Sequence, residues 1–234
     1  MIPGIMGLAL VTLWVAISNE NLVSRAPSRI EQQLSAAERR AQALRTGGLK
    51  EAAKVTGEFI TEIPGSDWGG PATISELVQW STLIVIGRTE SNRSRLDADG
   101  NDIRSAYQFD VESVLKGEHQ GPKVTVVLLG GRVVFDDGSI AELRVAKAER
   151  PVQGERYFLF LRPPKGRLSA TGATAYEPGE LVPLWDTQGL YRLPGGGARV
   201  APAHLRGRDL AKEIQAMQPG QFIEAVQRAI RTGR

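Results

Sequence analysis

The sequence contains no cysteine among its 234 residues. Disulfides, thiolate zinc sites and cysteine nucleophiles are therefore all excluded. This absence does not decide between a cytoplasmic and an exported protein, because an exported domain with an adequate core folds without disulfides. Histidine is scarce as well: His119 and His204 are the two present, and neither has the spacing of a metal site or of a catalytic base with a partner. We therefore predict no metal and no cofactor.

The sequence also lacks a strong excess of charge of either sign. It holds 29 Lys and Arg against 26 Asp and Glu, a net charge of only +3. Phosphate binding needs clustered positive charge. The arginines that come closest to a cluster are interleaved with acidic residues, which weakens any phosphate-binding field. They are Arg88, Arg93, Arg95 and Arg104, among Asp97, Asp99 and Asp102. We predict no nucleic-acid partner.

Long hydrophobic runs are scarce, and the most prominent one lies at the N-terminus. Residues 2–17 carry no charge and as a helix would span roughly 24 Å, against about 30 Å for a bilayer core. We predict that residues 1–18 form a signal-anchor, which contacts the membrane through residues 2–17 and makes the chain a single-pass membrane protein. The alternative is a signal peptide with a cleavage site at Ala16-Ile17-Ser18, after which the remaining chain is secreted.

Basic residues follow the apolar run and bear on its orientation. They are Arg25, Arg29, Arg39 and Arg40. By the positive-inside rule they favour a cytoplasmic location for the C-terminal side of the run. Our prediction is instead an extracytoplasmic domain, in line with the resemblance given below, and the sequence alone leaves this conflict open.

Residues 19–70 are predicted to form a polar linker that contains an amphipathic helix at 28–46. Ser28 and Glu31 fit a capping box, in which the two side chains satisfy backbone donors reciprocally. The apolar positions that follow share one helix face: Ile30, Leu34, Ala37, Ala41 and Leu44. Gly47-Gly48 is predicted to end the helix. The helix is either a short coiled-coil or partner helix or a solvated stalk, and the short heptad pattern favours the stalk.

Residues 71–204 are predicted to form a mainly β domain. The 26 glycines and 13 prolines of the chain suit a turn-rich β protein. After a short helix, residues 82–86 are apolar on both faces, as in a central strand. Residues 107–115 alternate between apolar and polar side chains, and residues 157–161 form a further apolar strand. Short strands at regular intervals with Gly-rich turns are typical of a sandwich or a closed barrel, and we predict a small barrel of about five to seven strands.

Residues 205–234 are predicted to form C-terminal helices with two apolar stripes. The first stripe is Leu210, Ile214 and Met217, and the second is Phe222, Val226 and Ile230. Pro219-Gly220 separates them. Packing of these stripes on the β domain is favoured over a membrane-surface role, which Arg228 and Arg231 beside the last stripe would permit.

Five segments of the β region follow one another in a particular order. They are Val85-Ile86-Gly87-Arg88, Tyr107–Gly117, Gly130-Gly131, Gly154–Leu161 and Gln188–Leu193. This order resembles a group of exported or membrane-tethered bacterial proteins of unknown function, and their layout is similar to netrin/TIMP-like (NTR-like) domains, which are five-stranded OB-type barrels. The resemblance covers about residues 74–200 and implies an OB-like, NTR-like barrel.

The resemblance implies the fold but not an activity. Leu115-Lys116-Gly117 and Gly154-Glu155-Arg156 are turn signatures that lead into or out of core strands. Animal metalloproteinase inhibitors of this type present an N-terminal cysteine to the zinc of their target. Because this chain has no cysteine, inhibition by that mechanism does not carry over.

An acidic loop provides the candidate metal site of the sequence, at Asp97, Asp99, Asn101 and Asp102. Oxygen ligands at alternate positions are what a calcium loop requires. However, Asp102 stands where the turn glycine belongs, and Gln108 where the bidentate Glu belongs. A polar hairpin loop between the first two barrel strands is therefore the favoured interpretation. Asp136-Asp137-Gly138 is likewise predicted to be a hairpin turn.

These features together predict a non-enzymatic extracytoplasmic binding module, tethered to or exported across the membrane. A partly closed barrel leaves loops or an edge strand for a protein or peptide partner. No catalytic residues are predicted, because neither a nucleophile elbow nor a phosphate-binding Gly-rich loop is present. The alternatives are an envelope hydrolase with a site of dispersed acidic residues, and a structural spacer. The sequence gives neither the ligand nor the oligomeric state.

Overall fold

The computed structural model of the chain describes residues 29–65, 70–165, 176–184, 188–203 and 209–233. The predicted signal-anchor, residues 1–18 with its apolar run 2–17, lies outside these residues. Among the residues that are described, no helix is both long enough and apolar enough to cross a bilayer.

The described elements alternate between helix and strand at the ends of the chain and are strands throughout its middle. In chain order they are α1 (Arg29–Thr56), β1 (Glu58–Ile63), α2 (Ile74–Trp80), β2 (Leu83–Leu96), β3 (Ile103–Lys116), β4 (Lys123–Leu129), β5 (Gly131–Val134), β6 (Ile140–Val145), β7 (Arg156–Arg162), β8 (Val182–Pro183), β9 (Leu190–Arg192), β10 (Ala201–Pro202), α3 (Asp209–Gln215) and α4 (Pro219–Thr232). The domain is mainly β, as predicted.

The larger sheet has seven antiparallel strands in the order β10-β9-β7-β2-β3-β4, with β8 pairing with β7. Its centre is formed by two apolar runs of the sequence. Leu83–Ile86 and Tyr157–Leu161 are buried at every position. A strand covered on both faces needs apolar side chains throughout, so the prediction of central strands is confirmed.

Strand β3 shows the predicted alternation between buried and exposed side chains. Tyr107 and Phe109 are buried, whereas Gln108 and Asp110 are exposed. One face of β3 therefore belongs to the core and the other to solvent. Register shifts interrupt the pairing of β2 with β3 toward the start of β2, between Ile84 and Val85, between Ile86 and Gly87, and between Thr89 and Ser91. Such irregularities bend a strand and increase its twist.

The predicted closed barrel is wrong over the described residues, because the strand ladder ends at β4 on one side and at β10 on the other. The edge of β4 comes closest to closure at Leu181, just before β8, through an isolated parallel bridge to Val126. Leu181 N–H donates to the Thr125 carbonyl at 3.0 Å, and Val127 N–H donates to the Leu181 carbonyl at 2.8 Å. Since β8 is two residues long, this contact does not extend into a continuous ladder.

The two faces of the larger sheet bury separate apolar clusters. One face packs on itself, with members from β2, β3, β4, β7 and β9: Val85, Tyr107, Phe109, Val124, Val126, Leu159 and Leu190 among others. The sheet is therefore curled around this face. The opposite face is covered by α2, α3 and α4, and its cluster includes Ile84, Ile86, Phe158, Phe160, Leu77, Ile214, Phe222 and Val226.

The C-terminal helices pack on the β domain, as predicted. The Phe222 ring of α4 lies 5.0 Å from the Phe158 ring and 5.2 Å from the Tyr191 ring, measured between centroids. Aromatic pairs at these distances contribute beyond the area they bury. The apolar stripe of α4 is thus used against the sheet.

A smaller sheet of three strands has the order β1-β6-β5, with β1 parallel to β6 and β5 antiparallel to β6. The turn from β5 to β6 is the predicted hairpin at residues 136–138. Phe135 N–H donates to the Ser139 carbonyl at 2.9 Å, and Gly138 has a φ of +80°. Strand β1 was not predicted and lies within the segment assigned to the polar linker.

Helix α1 changes direction at Gly48, whose φ of +66° and ψ of −157° are not helical. The predicted helix at 28–46 is present from Arg29 onwards, but the helix resumes after the glycines and continues to Thr56. Beyond the break, Leu49, Ala52 and Ala53 are buried in a third cluster with Phe59 and Leu143. Before it, Ala37 and Ala41 of the predicted apolar face are exposed, whereas Leu44 is partly buried against this third cluster.

Candidate binding groove beside β4

The acidic residues predicted as a partial calcium loop form the connection between β2 and β3. One Asp97 carboxylate oxygen accepts the backbone N–H groups of Asn101 at 3.0 Å and Asp102 at 3.1 Å. A carboxylate that accepts backbone donors in this way builds the turn itself. In the part of the chain that the structure describes, no group of three or more His, Asp or Glu is placed to hold a metal ion. The calcium loop stays a prediction, and this geometry adds nothing to it.

The same loop supports the helix break in α1. Leu49 N–H, the first donor after the break, bonds the Gly100 carbonyl at 2.8 Å. The start of a helix leaves such donors without intrahelical partners. The β2–β3 loop therefore supplies the acceptor for the first backbone donor of the restarted helix.

One histidine can be placed and the other cannot. His119 lies in the connection from β3 to β4, is half-buried, and has its Nε2 atom 2.8 Å from the Lys123 carbonyl. His204 lies outside the described residues. This contact fastens the β3–β4 connection to the first residue of β4.

A groove of about 450 Å³ lies beside the outer edge of β4, and we call it the β4 groove. Its walls come from the start of β2, the β3–β4 connection, β4, the end of β7 and the segment before β8. The lining residues are Thr82, Leu83, Glu118, His119, Lys123, Val124, Thr125, Pro163 and residues 177–181. Most of these are polar or exposed, so the groove is open to solvent and is not a buried apolar pocket.

One wall of the β4 groove is fixed by an ion pair between Arg95 and Glu180. A guanidinium nitrogen of Arg95 donates to both carboxylate oxygens of Glu180, at 2.9 and 2.7 Å. Glu180 also accepts the Glu177 N–H at 2.7 Å. The side chain of Glu180 is only 4% exposed, against 26% for Arg95. The hydrogen bond to Glu180 raises the pKa of Arg95.

A second arginine fastens the same segment at its other end. Arg104, the cross-strand partner of Arg95 in the β2–β3 pairing, donates to the Tyr176 hydroxyl at 3.0 Å. Its guanidinium carbon also lies 4.8 Å from the centre of the Tyr176 ring, within cation–π range. Arg95 and Arg104 thus hold residues 176–180 across the end of the curled sheet.

Charged side chains in and around the groove are held in ion pairs, which limits their use in proton transfer. Lys123 is paired with Glu90, and this hydrogen bond raises the pKa of Lys123. Both oxygens of Glu180 are held by Arg95, so Glu180 is poorly placed to exchange a proton with a substrate. Glu118 and Glu177 are exposed at the rim. The arrangement suits hydrogen bonding and ion pairing with a bound partner.

Three of the arginines that the sequence places near the first loop have acidic or aromatic partners. Arg88 lies 3.6 Å from Glu112, Arg95 bonds Glu180, and Arg104 contacts Tyr176. Positive charge that is already paired attracts phosphate less. The absence of a nucleic-acid partner stays a prediction.

Another lysine has a structural position that sequence analysis missed. Lys116 Nζ donates to the carbonyls of Val78 at 2.6 Å and Ser81 at 2.7 Å, at the end of α2. Burial lowers the pKa of Lys116. Cations favour the carboxyl end of a helix, so Lys116 fastens α2 to β3. The start of α2 is capped by Thr73, whose Oγ1 atom accepts the Glu76 N–H at 3.1 Å.

The groove was missed by sequence analysis because its walls are distant in the chain. Arg95 and Glu180 are separated by 85 positions, and neither belongs to a local motif. Compared with protein-family models the chain matches none, and no curated protein is similar to it at a significant level.

Proposed function

We propose that this chain is a non-enzymatic binding module whose β domain lies outside the cytoplasm and binds a protein or peptide in the β4 groove. Residues 2–17 would hold it at the membrane, or would direct its export. The observation that carries the proposal is the groove itself, with a wall that the buried Arg95–Glu180 pair holds in place. A preorganised wall favours binding, because little conformational freedom is lost when the partner docks.

An extended segment is the form of partner that suits this groove. The Thr125 carbonyl and the Val127 N–H both point away from β3, toward Leu181. Since backbone groups alternate in direction along a strand, Lys123 presents its N–H on the same side, inside the groove. Addition of a peptide to a sheet edge is a recurrent mode of recognition in which backbone bonds give affinity and side-chain pockets give specificity.

The assignment to an OB-like, NTR-like domain belongs to the same proposal. The curl of the larger sheet and its near closure at Leu181 support it, and so does the order of motifs that resembles exported bacterial proteins. The glycines of those motifs have the backbone positions that such turns need: Gly117 has a φ of +82° and Gly154 of +79°. The hydrolase alternative finds less support, because the buried carboxylate of the groove, Glu180, is held by Arg95 and is poorly placed to exchange protons.

A photo-crosslinking amino acid placed at Glu118 tests the groove in the full chain, expressed in its native envelope. We expect a discrete crosslinked product from Glu118, which faces the groove. The matched control is Val152, 53% exposed and before the opposite end of β7. Glu177→Trp, which fills the groove from an exposed position, should reduce the Glu118 product at least several-fold. Equal products from both positions, or none from Glu118, would contradict the proposal.

A further inference from the structure

The outer edge of β1 is a second surface, separate from the β4 groove. We propose that this edge binds an extended peptide segment with basic residues at alternate positions, which is added to the smaller sheet as a fourth strand. Strand β1 is at the end of the order β1-β6-β5, so one of its edges has no strand beside it among the described residues. The inference does not depend on the function proposed for the groove.

The direction of the backbone groups along β1 follows from its bonds to β6. Ile140 N–H donates to the Gly57 carbonyl at 3.0 Å, and Ala146 N–H donates to the Ile63 carbonyl at 2.9 Å. Because the direction alternates from residue to residue, Phe59, Thr61 and Ile63 face β6. Glu58, Ile60 and Glu62 therefore direct their N–H and C=O groups to the open edge. Such a row is a ready template for another strand.

The side chains of the same three residues stand on the solvent face of the sheet. Glu58 and Glu62 are exposed, and Ile60 is 44% exposed. Phe59, between them, is buried on the other face. An added strand would therefore place its alternate side chains beside an acidic, an apolar and a second acidic residue. Opposite charges across a strand pair stabilise it, and like charges destabilise it.

The basic residue beside this edge forms its closest ion pair with another residue. Arg144 lies across from Glu62 on β6 and attracts the charges of Glu62 and Glu58, but its Nε atom bonds Glu142 at 2.7 Å. Arg132 lies across from Glu142 on the third strand, away from β1. Arg40 stands 5.7 Å from the ring centre of Phe59, whose side chain is on the buried face. Strand β1 itself carries two acidic residues and no basic one.

A second copy of the chain is a poor occupant of this edge. Two antiparallel β1 strands that overlap all three outward residues would pair Ile60 with its equivalent. The Glu58 of each copy would then lie directly opposite the Glu62 of the other, which gives two pairs of like charges. Like charges directly opposite one another oppose such a pairing, as edge charges do in natural sheets. A basic extended segment replaces both repulsions with attractions.

Binding of two capped peptides to the full chain in mild detergent tests the proposal. In one peptide lysine, valine and lysine alternate with threonine, and in the other glutamate replaces each lysine. We expect the lysine peptide to bind about three- to tenfold more tightly, from two cross-strand charge pairs. The double variant Glu58→Lys/Glu62→Lys should invert this preference. Preference for lysine in that variant as well would place the peptide elsewhere and overturn the proposal.

Residue-level amide exchange supplies the second measurement. In the free chain the amides of Phe59, Thr61 and Ile63 should exchange slowly, because they face β6. Saturation with the lysine peptide should slow the hydrogen exchange of the Ile60 and Glu62 amides by about tenfold or more, since hydrogen bonding protects an amide from exchange. No change at these positions would overturn the proposal even if the peptide bound.

Proline at position 60 separates edge addition from loss of the fold. Ile60→Pro removes an outward N–H, and proline is tolerated on edge strands at such positions. This substitution should lower the affinity for the lysine peptide at least tenfold, while the amides of Phe59 and Thr61 stay protected from hydrogen exchange. Ile60→Thr keeps the N–H and is the matched control, expected to bind within about threefold of the parent chain. Unchanged binding by Ile60→Pro would contradict strand addition.

Discussion

At the scale of single residues, the pair formed by Arg95 and Glu180 has the largest structural consequence. It joins the far end of β2 to the segment before β8, and that segment forms one wall of the β4 groove. Glu180 is almost completely buried, so the cost of removing its charge from water must be offset by Arg95 and by the Glu177 N–H. Loss of either partner leaves the other poorly solvated.

We predict that Glu180→Gln lowers the free energy of unfolding by about 2–3 kcal/mol, below the range for fully buried pairs because Arg95 is partly exposed. Gln retains an acceptor for the Glu177 N–H, so the loss reports on the ion pair. Urea unfolding measures the effect. In the double variant with Arg95→Met, the loss of unfolding free energy should differ from the sum of the two single losses by about 1 kcal/mol or more.

An exposed pair in the same sheet is the control for this measurement. Glu112 pairs with Arg156, and both side chains are roughly one-third exposed. Exposed ion pairs contribute about 0–1 kcal/mol, so Glu112→Gln should have an effect within that range. If Glu180→Gln lowers the free energy of unfolding no more than Glu112→Gln does, the Arg95–Glu180 pair does not hold the wall of the groove.

At the scale of elements, the break in α1 shows how a local signal acquires its meaning from distant contacts. Gly47-Gly48 correctly indicated where the helix is interrupted, because glycine takes up backbone conformations closed to other residues. It did not indicate that the helix would resume. The resumption depends on the Gly100 carbonyl, which accepts the Leu49 N–H, and on the buried face of Leu49, Ala52 and Ala53.

We predict that Gly48→Ala destabilises the domain by at least about 3 kcal/mol. The backbone conformation at Gly48 is reserved almost entirely for glycine, at a cost of about 1–3 kcal/mol for other residues. A Cβ atom there would also lie 2.4 Å from the Gly100 oxygen, so the β2–β3 loop would have to move. Urea unfolding of the full chain, followed by circular dichroism, measures the loss.

Gly57, the residue that directly follows the same helix, provides a matched control. It has a φ of +75°, but a Cβ atom there would meet nothing within 4 Å. Gly57→Ala should therefore cost about 1–2 kcal/mol, the penalty of the left-handed backbone alone. Equal effects of the two substitutions would show that the contact of Gly48 with the loop contributes no stability.

Strands were predictable to different extents for reasons that lie in their surroundings. Strands β2, β3, β4 and β7 are long and carry apolar runs or clean alternation, so a local pattern identifies them. Strand β1 has two glutamates in six residues and one edge without a neighbour. Because it is stabilised chiefly by pairing with β6, its own sequence resembles a polar linker.

At the scale of the whole molecule, the β domain is organised as a curled sheet with a helical layer on its convex face. The concave face buries its apolar side chains against one another, and the convex face is covered by α2, α3 and α4. Both faces of the sheet at Leu83–Ile86 of β2 and Tyr157–Leu161 of β7 are therefore inaccessible to a partner. The β4 groove and the outer edge of β1 both lie away from this buried centre, at the edges of the two sheets.

The absence of cysteine permits a direct test of the proposed location of this domain. In Val134→Cys, a membrane-impermeant maleimide should label intact cells or spheroplasts, because Val134 is 65% exposed and the domain is proposed to be extracytoplasmic. Val126→Cys, at a position that is 0% exposed, should be labelled only after unfolding. Labelling of Val134→Cys only after lysis would place the domain in the cytoplasm, as the basic residues after the apolar run favour.

The sequence by itself determined the mainly β class, the central strands, the hairpin turn at residues 136–138 and the packing of the C-terminal helices. Each of these follows from periodicity or turn chemistry within a few consecutive residues. The tertiary structure alone decided that the sheet stays open, that β1 joins β6, and that Arg95 meets Glu180. These features depend on partners far apart in the chain, and no local pattern encodes which distant backbone edge or charge a residue will meet.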